Sequence, residues 1–186
     1  MLRKIAKMGA EVLSKPADPV TDPTASTIRD LAQDMIETCE NIGAGGIAAP
    51  QVYEPLRLFV YRVRADLIPE GGTLKSRPWT VVINPEITPM KPDKKVFVER
   101  CLSLPGLCGP VLRYTHVRVR GVGLDGERIE IDGRATESRI LQHEIDHLDG
   151  VLYPMRMDNI SKLAFVDERY GPAPYPIPIS LEDYLV

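Results

Sequence analysis

Apolar residues between Thr24 and Ile42 recur at three- and four-residue spacing: Ile28, Leu31, Ala32, Met35, Ile36, Cys39 and Ile42. That period predicts an amphipathic helix. Thr24 or Ser26 is placed to cap its start, and Gly43 to end it. Cys39 falls on the apolar stripe, where a buried small hydrophobe needs no chemical role. The stretch G-A-G-G-I-A-A-P-Q (43–51) is too glycine-rich for a helix or an ordinary strand. Strand-like runs follow: R-L-F-V-Y-R-V (57–63), W-T-V-V-I-N-P-E-I (79–87) and K-V-F-V-E-R-C (95–101). T-H-V-R-V-R-G-V-G-L and E-R-I-E-I then flank Asp125-Gly126, the strongest hairpin signal in the chain. Helical period returns only from about Ala135 to Leu148, with Gly150 just past its end. One early helix, many short strands and one late helix predict an α+β fold rather than a βαβ repeat.

A chain of 186 residues suffices for one domain with a sizeable core, so a single domain spanning 1–186 is expected. Prolines cluster in P-A-D-P-V-T-D-P (16–23) and G-P-A-P-Y-P-I-P (171–178), which excludes both from helix interiors. The second lies in a tail, residues 159–186, and reads as a proline-rich arm on the domain surface. The formal net charge of −3 argues against a nucleic-acid binder, and Arg118 and Arg120 read as the solvated face of a strand. Cys39, Cys101 and Cys108 are odd in number and scattered, unlike a secreted disulfide framework. No run is apolar enough for a signal peptide or a membrane span, so a reducing cytoplasm is the expected setting. There, free thiols are available as metal ligands.

The stretch Q-H-E-I-D-H-L-D-G (142–150) carries the candidate chemistry. On a helix His143 and His147 lie about 40° apart, close enough to share a metal, and Glu144 lies about 60° from His147. Leu141, Ile145 and Leu148 form a separate apolar stripe that would bury the helix against sheet. A metal lowers the pKa of bound water, and an adjacent carboxylate can take that proton. Asp146 is either a partner for an imidazole or a solvated charge. Two histidines leave a third ligand to be found. His116 begins a strand and is better read as a satisfied imidazole. Asp167, Glu168, Glu182 and Asp183 lie near or within the tail. Cys101 ends a strand in E-R-C-L-S-L-P-G-L (99–107), where a side chain can be aimed at a neighbouring helix.

Three stretches in order, G-G-I-A-A-P-Q, E-R-C-L-S-L-P-G and Q-H-E-I-D-H-L-D-G, resemble the motifs of the peptide deformylases, which remove the formyl group from the N-terminal methionine of nascent chains. I-A-K-M-G-A-E-V-L-S-K-P-A also looks like that family's opening segment, and the likeness covers residues 1 to about 158. It implies antiparallel β-sheets packed around a central C-terminal helix that carries the H-E-x-x-H motif. It implies Cys101, His143 and His147 as ligands of one divalent metal, Fe(II) in the cell with Zn or Ni as substitutes. Glu144 would be the general acid/base. Gln51 and the backbone N–H of Leu102 would donate to the developing oxyanion, and Gly46 would let the substrate backbone run close. The implied partners are N-formyl-methionyl peptides, met as nascent chains at the ribosome, with no nucleic acid or membrane.

The chain departs from the family pattern at three places. Arg100 stands where the family has glycine, and either turns to solvent or lines the substrate groove. Ala44 and Gly45 stand where the family has glycine and an apolar residue, and the loss of a bulky side chain at Gly45 is expected to enlarge or reshape the methionine pocket. Cys108 replaces a polar residue and reads as a loop thiol without a role. Two other readings remain at this point. One is a helical zinc protease with its third ligand in the tail. The other is a deformylase-like protein that binds formylated N-termini without turning them over.

Overall fold

The computed structural model describes residues 1–171. Its first long helix, α1, runs Ser26–Ile42. Gly43 ends it with φ 71°, its N–H reaching the carbonyls of Cys39 and Glu40. The expected side-chain cap is absent. Ala25 occupies the cap position, and Thr24 instead donates from its hydroxyl to Asp22 at 2.7 Å. Ile28, Leu31, Ala32, Met35 and Cys39 are buried as their period requires, while Ile42 at the frayed end is exposed.

Among the described residues, eight strands form two antiparallel sheets. The five-stranded sheet has the order β1 (Gly46–Ala48), β2 (Leu58–Val63), β3 (Arg77–Pro89), β6 (His116–Val122), β7 (Arg128–Arg134). The three-stranded sheet has the order β4 (Lys94–Cys101), β5 (Leu104–Tyr114), β8 (Ala164–Phe165). The glycine-rich stretch thus holds a three-residue edge strand, β1, followed by a 3-10 turn over Ala49–Val52. The Asp125-Gly126 hairpin forms as expected, with Gly126 at φ 82° and the pairing running from His116–Arg134 to Val122–Arg128.

β5 was not legible as a strand, because Pro105, Gly106, Gly109 and Pro110 interrupt its pattern. β8 pairs only with Leu107 and Cys108, so both prolines fall outside that ladder, where a missing N–H is tolerated. Cys108 is therefore a fully buried strand residue and not the loop thiol expected.

β2 shows why its sequence is almost continuously apolar. Leu58 and Val60 face α1, packing with Leu31, Met35 and Cys39. Phe59, Tyr61 and Val63 face the second long helix, α2 (Ala135–Leu148), packing with Leu141, Ile145 and Leu148. Each such fully buried aliphatic side chain contributes about 1.5–3 kcal/mol. Gly150 follows α2 at φ 73°, and a Cβ there would lie 2.8 Å from the backbone of Lys15. The α2 boundaries match those expected from sequence. A short helix, α3 (Val166–Tyr170), ends the described part, and the proline-rich arm lies outside the described residues apart from Gly171. No helix among the described residues is long and apolar enough to cross a membrane.

Candidate metal centre

α2 is buried along its length except at Arg139 and Ile140. Its apolar stripe faces the five-stranded sheet, where Glu137 also meets Tyr61 and Arg77, while Gln142 and Asp146 turn toward β5. There Gln142 accepts from the Tyr114 N–H, and Asp146 is held by Arg113 of β5 at 2.6 Å. This wedging of one helix between two sheets places His143, Glu144 and His147 in the interior.

The third partner comes from β4. A register shift between Arg100 and Cys101 ends the strand, and the thiol meets the helix with Sγ 3.2 Å from His147 Nε2. Ligand atoms of Cys101, His143 and His147 all lie within 4.8 Å of one another, the one such group among the described residues. His116 is elsewhere, its Nε2 3.0 Å from Asp132. Asp167 and Glu168 lie in the first turn of a short helix over Val166–Tyr170 and are not part of the group. Glu182 and Asp183 lie outside the described residues.

Glu99, two residues before Cys101, is completely buried and accepts from His143 Nδ1 at 2.7 Å. Arg113 donates to both its oxygens, at 2.6 and 3.0 Å. Burial alone would raise the Glu99 pKa, but the bonds from His143 and Arg113 hold it well below the usual carboxylate range. Burial works against a charged His143, yet Cys101 and Glu99 raise its pKa well above the ordinary value. His147 moves the other way, lowered by burial and by His143, which keeps its imidazole neutral. The donor set of one thiol and two imidazoles suits a transition metal. Fixing Nδ1 of a ligand histidine on a carboxylate is the usual outer support of such a site.

Glu144 is buried, and its Oε2 finds no hydrogen-bond partner among the described residues. Burial pushes its pKa up to about 7, in the range where a carboxyl group can both take and return a proton. Gly46 makes room for it: a Cβ on Gly46 would lie 2.8 Å from Glu144 Oε1 and 3.2 Å from the Val60 carbonyl. Gln51 is buried in the 3-10 turn after β1, and its amide reaches Cys101 Sγ at 3.3 Å. Leu102 lies in the turn between β4 and β5, next to Cys101.

Several expectations are corrected. Asp146 is neither a histidine partner nor solvated: it is buried between Arg113 and Arg156, the latter at 2.8 Å. Arg100 does not turn freely to solvent. It is half-buried across from Cys108 on β5, and burial lowers its pKa. At Gly45 a Cβ would meet only the Arg62 carbonyl, at 3.8 Å, so that side of β1 is open. The roles of Glu99 and Arg113 were missed. Glu99 sat in the quoted E-R-C-L-S stretch, whereas nothing near Arg113 marks it.

Comparison with known proteins agrees with this geometry. The family model described as polypeptide deformylase matches residues 2–163. The chain belongs to the polypeptide deformylase family. Similar relatives include peptide deformylase 2 of Pseudomonas syringae pv. tomato, 40% identical over 170 residues, covering 90% of this chain and 93% of that protein. Peptide deformylase 1 of Nitrosomonas europaea is 36% identical, covering 90% of this chain and 94% of that protein. A Met-Ala-Ser-bound class I type b peptide deformylase from Acinetobacter baumannii superposes with a TM-score of 0.77 at 33% identity, covering 84% and 99% of the two chains. The Ehrlichia chaffeensis deformylase gives a TM-score of 0.78 at 30% identity, covering 87% and 91%. The polypeptide deformylases are metal-dependent hydrolases of N-formyl peptides, and their function is deformylation of nascent chains. The α+β architecture with antiparallel sheets is that of the family.

Proposed function

We propose that this chain removes the formyl group from formyl-methionyl peptides with Cys101, His143 and His147 holding one divalent metal ion. The observation carrying the assignment is the buried Glu144, its Oε2 without a hydrogen-bond partner among the described residues, adjacent in sequence to His143 of a ligand group whose Cys101 is bonded by the Gln51 amide. Fe(II) is the proposed physiological ion, with Zn or Ni able to replace it at the same donors. When bound, the ion would supply Lewis acidity toward the formyl carbonyl and lower the pKa of water, so that a base can convert it to a nucleophile near neutral pH.

The side chains supply the rest. An extended peptide lies along the free edge of β1, where Gly46 allows close approach, and Gly45 and Arg100 shape the groove beyond. Water adds to the formyl carbon and loses its proton to Glu144. Gln51 Nε2 and the Leu102 N–H donate to the oxygen on which negative charge develops. Glu144 then delivers its proton to the leaving nitrogen as the C–N bond breaks, releasing formate and a free methionine amine. The buried α2 is read as the central helix presenting H-E-x-x-H, and residues 1–186 as one catalytic domain. The cytoplasm and nascent chains at the ribosome are the proposed setting, with no recognition of nucleic acid or membrane.

The test is formate release from formyl-Met-Ala-Ser by anaerobically purified, iron-loaded protein, beside Glu144→Ala. Turnover in the wild type that vanishes in the variant, with metal retained, is expected. Peptide binding without formate release by the fully loaded wild type would leave a binding protein instead.

A further inference from the structure

Gln51 must present nitrogen, not oxygen, to the reacting carbonyl, yet a glutamine amide is nearly symmetric in shape. A flipped amide would set oxygen against developing negative charge and repel it. The surroundings decide which way it faces. The Ala48 N–H can only donate, and it donates to Gln51 Oε1 at 2.9 Å. Nε2 is thereby turned toward β4, where it has two partners: Cys101 Sγ at 3.3 Å and Ser103 Oγ at 3.2 Å. Its two hydrogens are both engaged.

Those partners differ in kind. The sulfur belongs to the candidate metal ligand set, and its hydrogen bond is the one open to exchange when substrate oxygen arrives. Ser103 stands outside that set. It is 1% exposed, its N–H lies 3.4 Å from Cys101 Sγ, and its carbonyl accepts the Met8 N–H at 2.8 Å. The backbone that carries the hydroxyl is thus anchored on both sides.

Resting on the deformylase reading above, we infer that Ser103 is a positioning residue: its Oγ holds one Nε2 hydrogen of Gln51 so that the other stays directed at the substrate oxygen. Fixed donors stabilise a transition state because they need no reorganisation as charge develops. A Gln51 held only at Oε1 would swing about its χ3 bond and lose that advantage.

The experiment is a double-mutant cycle on formate release from formyl-Met-Ala-Ser, using Ser103→Ala, Gln51→Ala and the pair. Ser103→Ala is expected to lower kcat about tenfold with KM changed less than about twofold. In the Gln51→Ala background it should change kcat less than about twofold. Equal drops in both backgrounds would overturn the inference, because Ser103 would then act through something other than Gln51. A second readout needs no turnover. In the zinc-loaded protein, the two Gln51 side-chain amide protons, assigned by their loss in Gln51→Ala, should report Ser103→Ala as an upfield shift of one of them. Ser103→Thr should restore it, and two unmoved resonances would sink the idea. Ser103→Cys keeps the size but weakens the acceptor, and serves if the alanine variant does not fold. Should the wild type release no formate, the functional reading fails and the amide resonances alone decide the role of Ser103.

Discussion

At the scale of single residues the site depends on side chains that are absent as much as on those present. Gly46 leaves the space in which the Glu144 carboxylate sits, since a Cβ there would be 2.8 Å from Oε1. Gly46→Ala is therefore expected to displace Glu144 and lower kcat on the order of a hundredfold, the scale of loss that small misplacement produces. Metal content measured by atomic absorption should stay at the wild-type level. Gly45 is the contrasting case, with only the Arg62 carbonyl within reach of a Cβ. Gly45→Val should change stability by no more than about 0.5 kcal/mol, as open surface positions do. Its effect should appear in the ranking of kcat/KM over peptides that differ after methionine. An unchanged ranking would remove Gly45 from the substrate groove.

At the scale of elements, buried charges tie the two sheets to α2. Arg113 on β5 joins Glu99 on β4 to Asp146 on α2, and all three side chains are at least nine-tenths buried. Arg113→Met would remove the cation shared by two buried carboxylates, leaving Glu99 only His143 and Asp146 only Arg156, a loss expected to cost about 3–5 kcal/mol. Urea unfolding checks this. A cost near zero would show that the carboxylates find other partners or become protonated. Leu141 holds the other side of α2, packed with Val117, Val119 and Ile131 of the five-stranded sheet. Leu141→Ala should cost about 2–5 kcal/mol by the same measurement. The N-terminal segment adds a third tie, with Ala6 N–H on the Gln51 carbonyl and Met8 N–H on the Ser103 carbonyl, each at 2.8 Å. It thereby joins the turn after β1 to the turn after β4.

At the scale of the whole molecule the centre draws on parts far apart in the chain: Gln51, Cys101 and the helix beginning at Ala135. An ion bound there stabilises the folded state in proportion to the logarithm of its concentration over its Kd. Stripping metal with a chelator should therefore lower Tm, and Cys101→Ser should lower Tm at fixed metal while narrowing the gap between loaded and stripped protein. An unchanged gap would point to ligands other than Cys101. Fe(II) on a thiolate is open to oxidation, so activity of the iron-loaded protein should decay faster in air than under nitrogen, and zinc loading should remove that difference.

What the sequence determined by itself were features that arise within one element. The period of α1 and α2, the Gly43 and Gly150 stops, and the Asp125-Gly126 hairpin follow from local geometry. So does the spacing that sets His143 and His147 on one side of α2. Even β2, apolar on both faces, was readable as a strand. The third member of the ligand group was different. From residues alone Cys101 competed with carboxylates of the tail, and only likeness to the deformylase motifs singled it out. Tertiary structure decided the rest, because each remaining feature joins elements distant in sequence. The β4 register shift brings the Cys101 thiol to α2. The sparse β8 pairing tolerates the prolines of β5. Asp146 reads from sequence as an imidazole partner or a solvated charge, whereas Arg113, 33 residues away, buries it. Glu99 and Ser103 acquire their tasks only when β4 meets α2 and the turn after β1, since a hydrogen bond across such separations leaves no period or spacing in the chain.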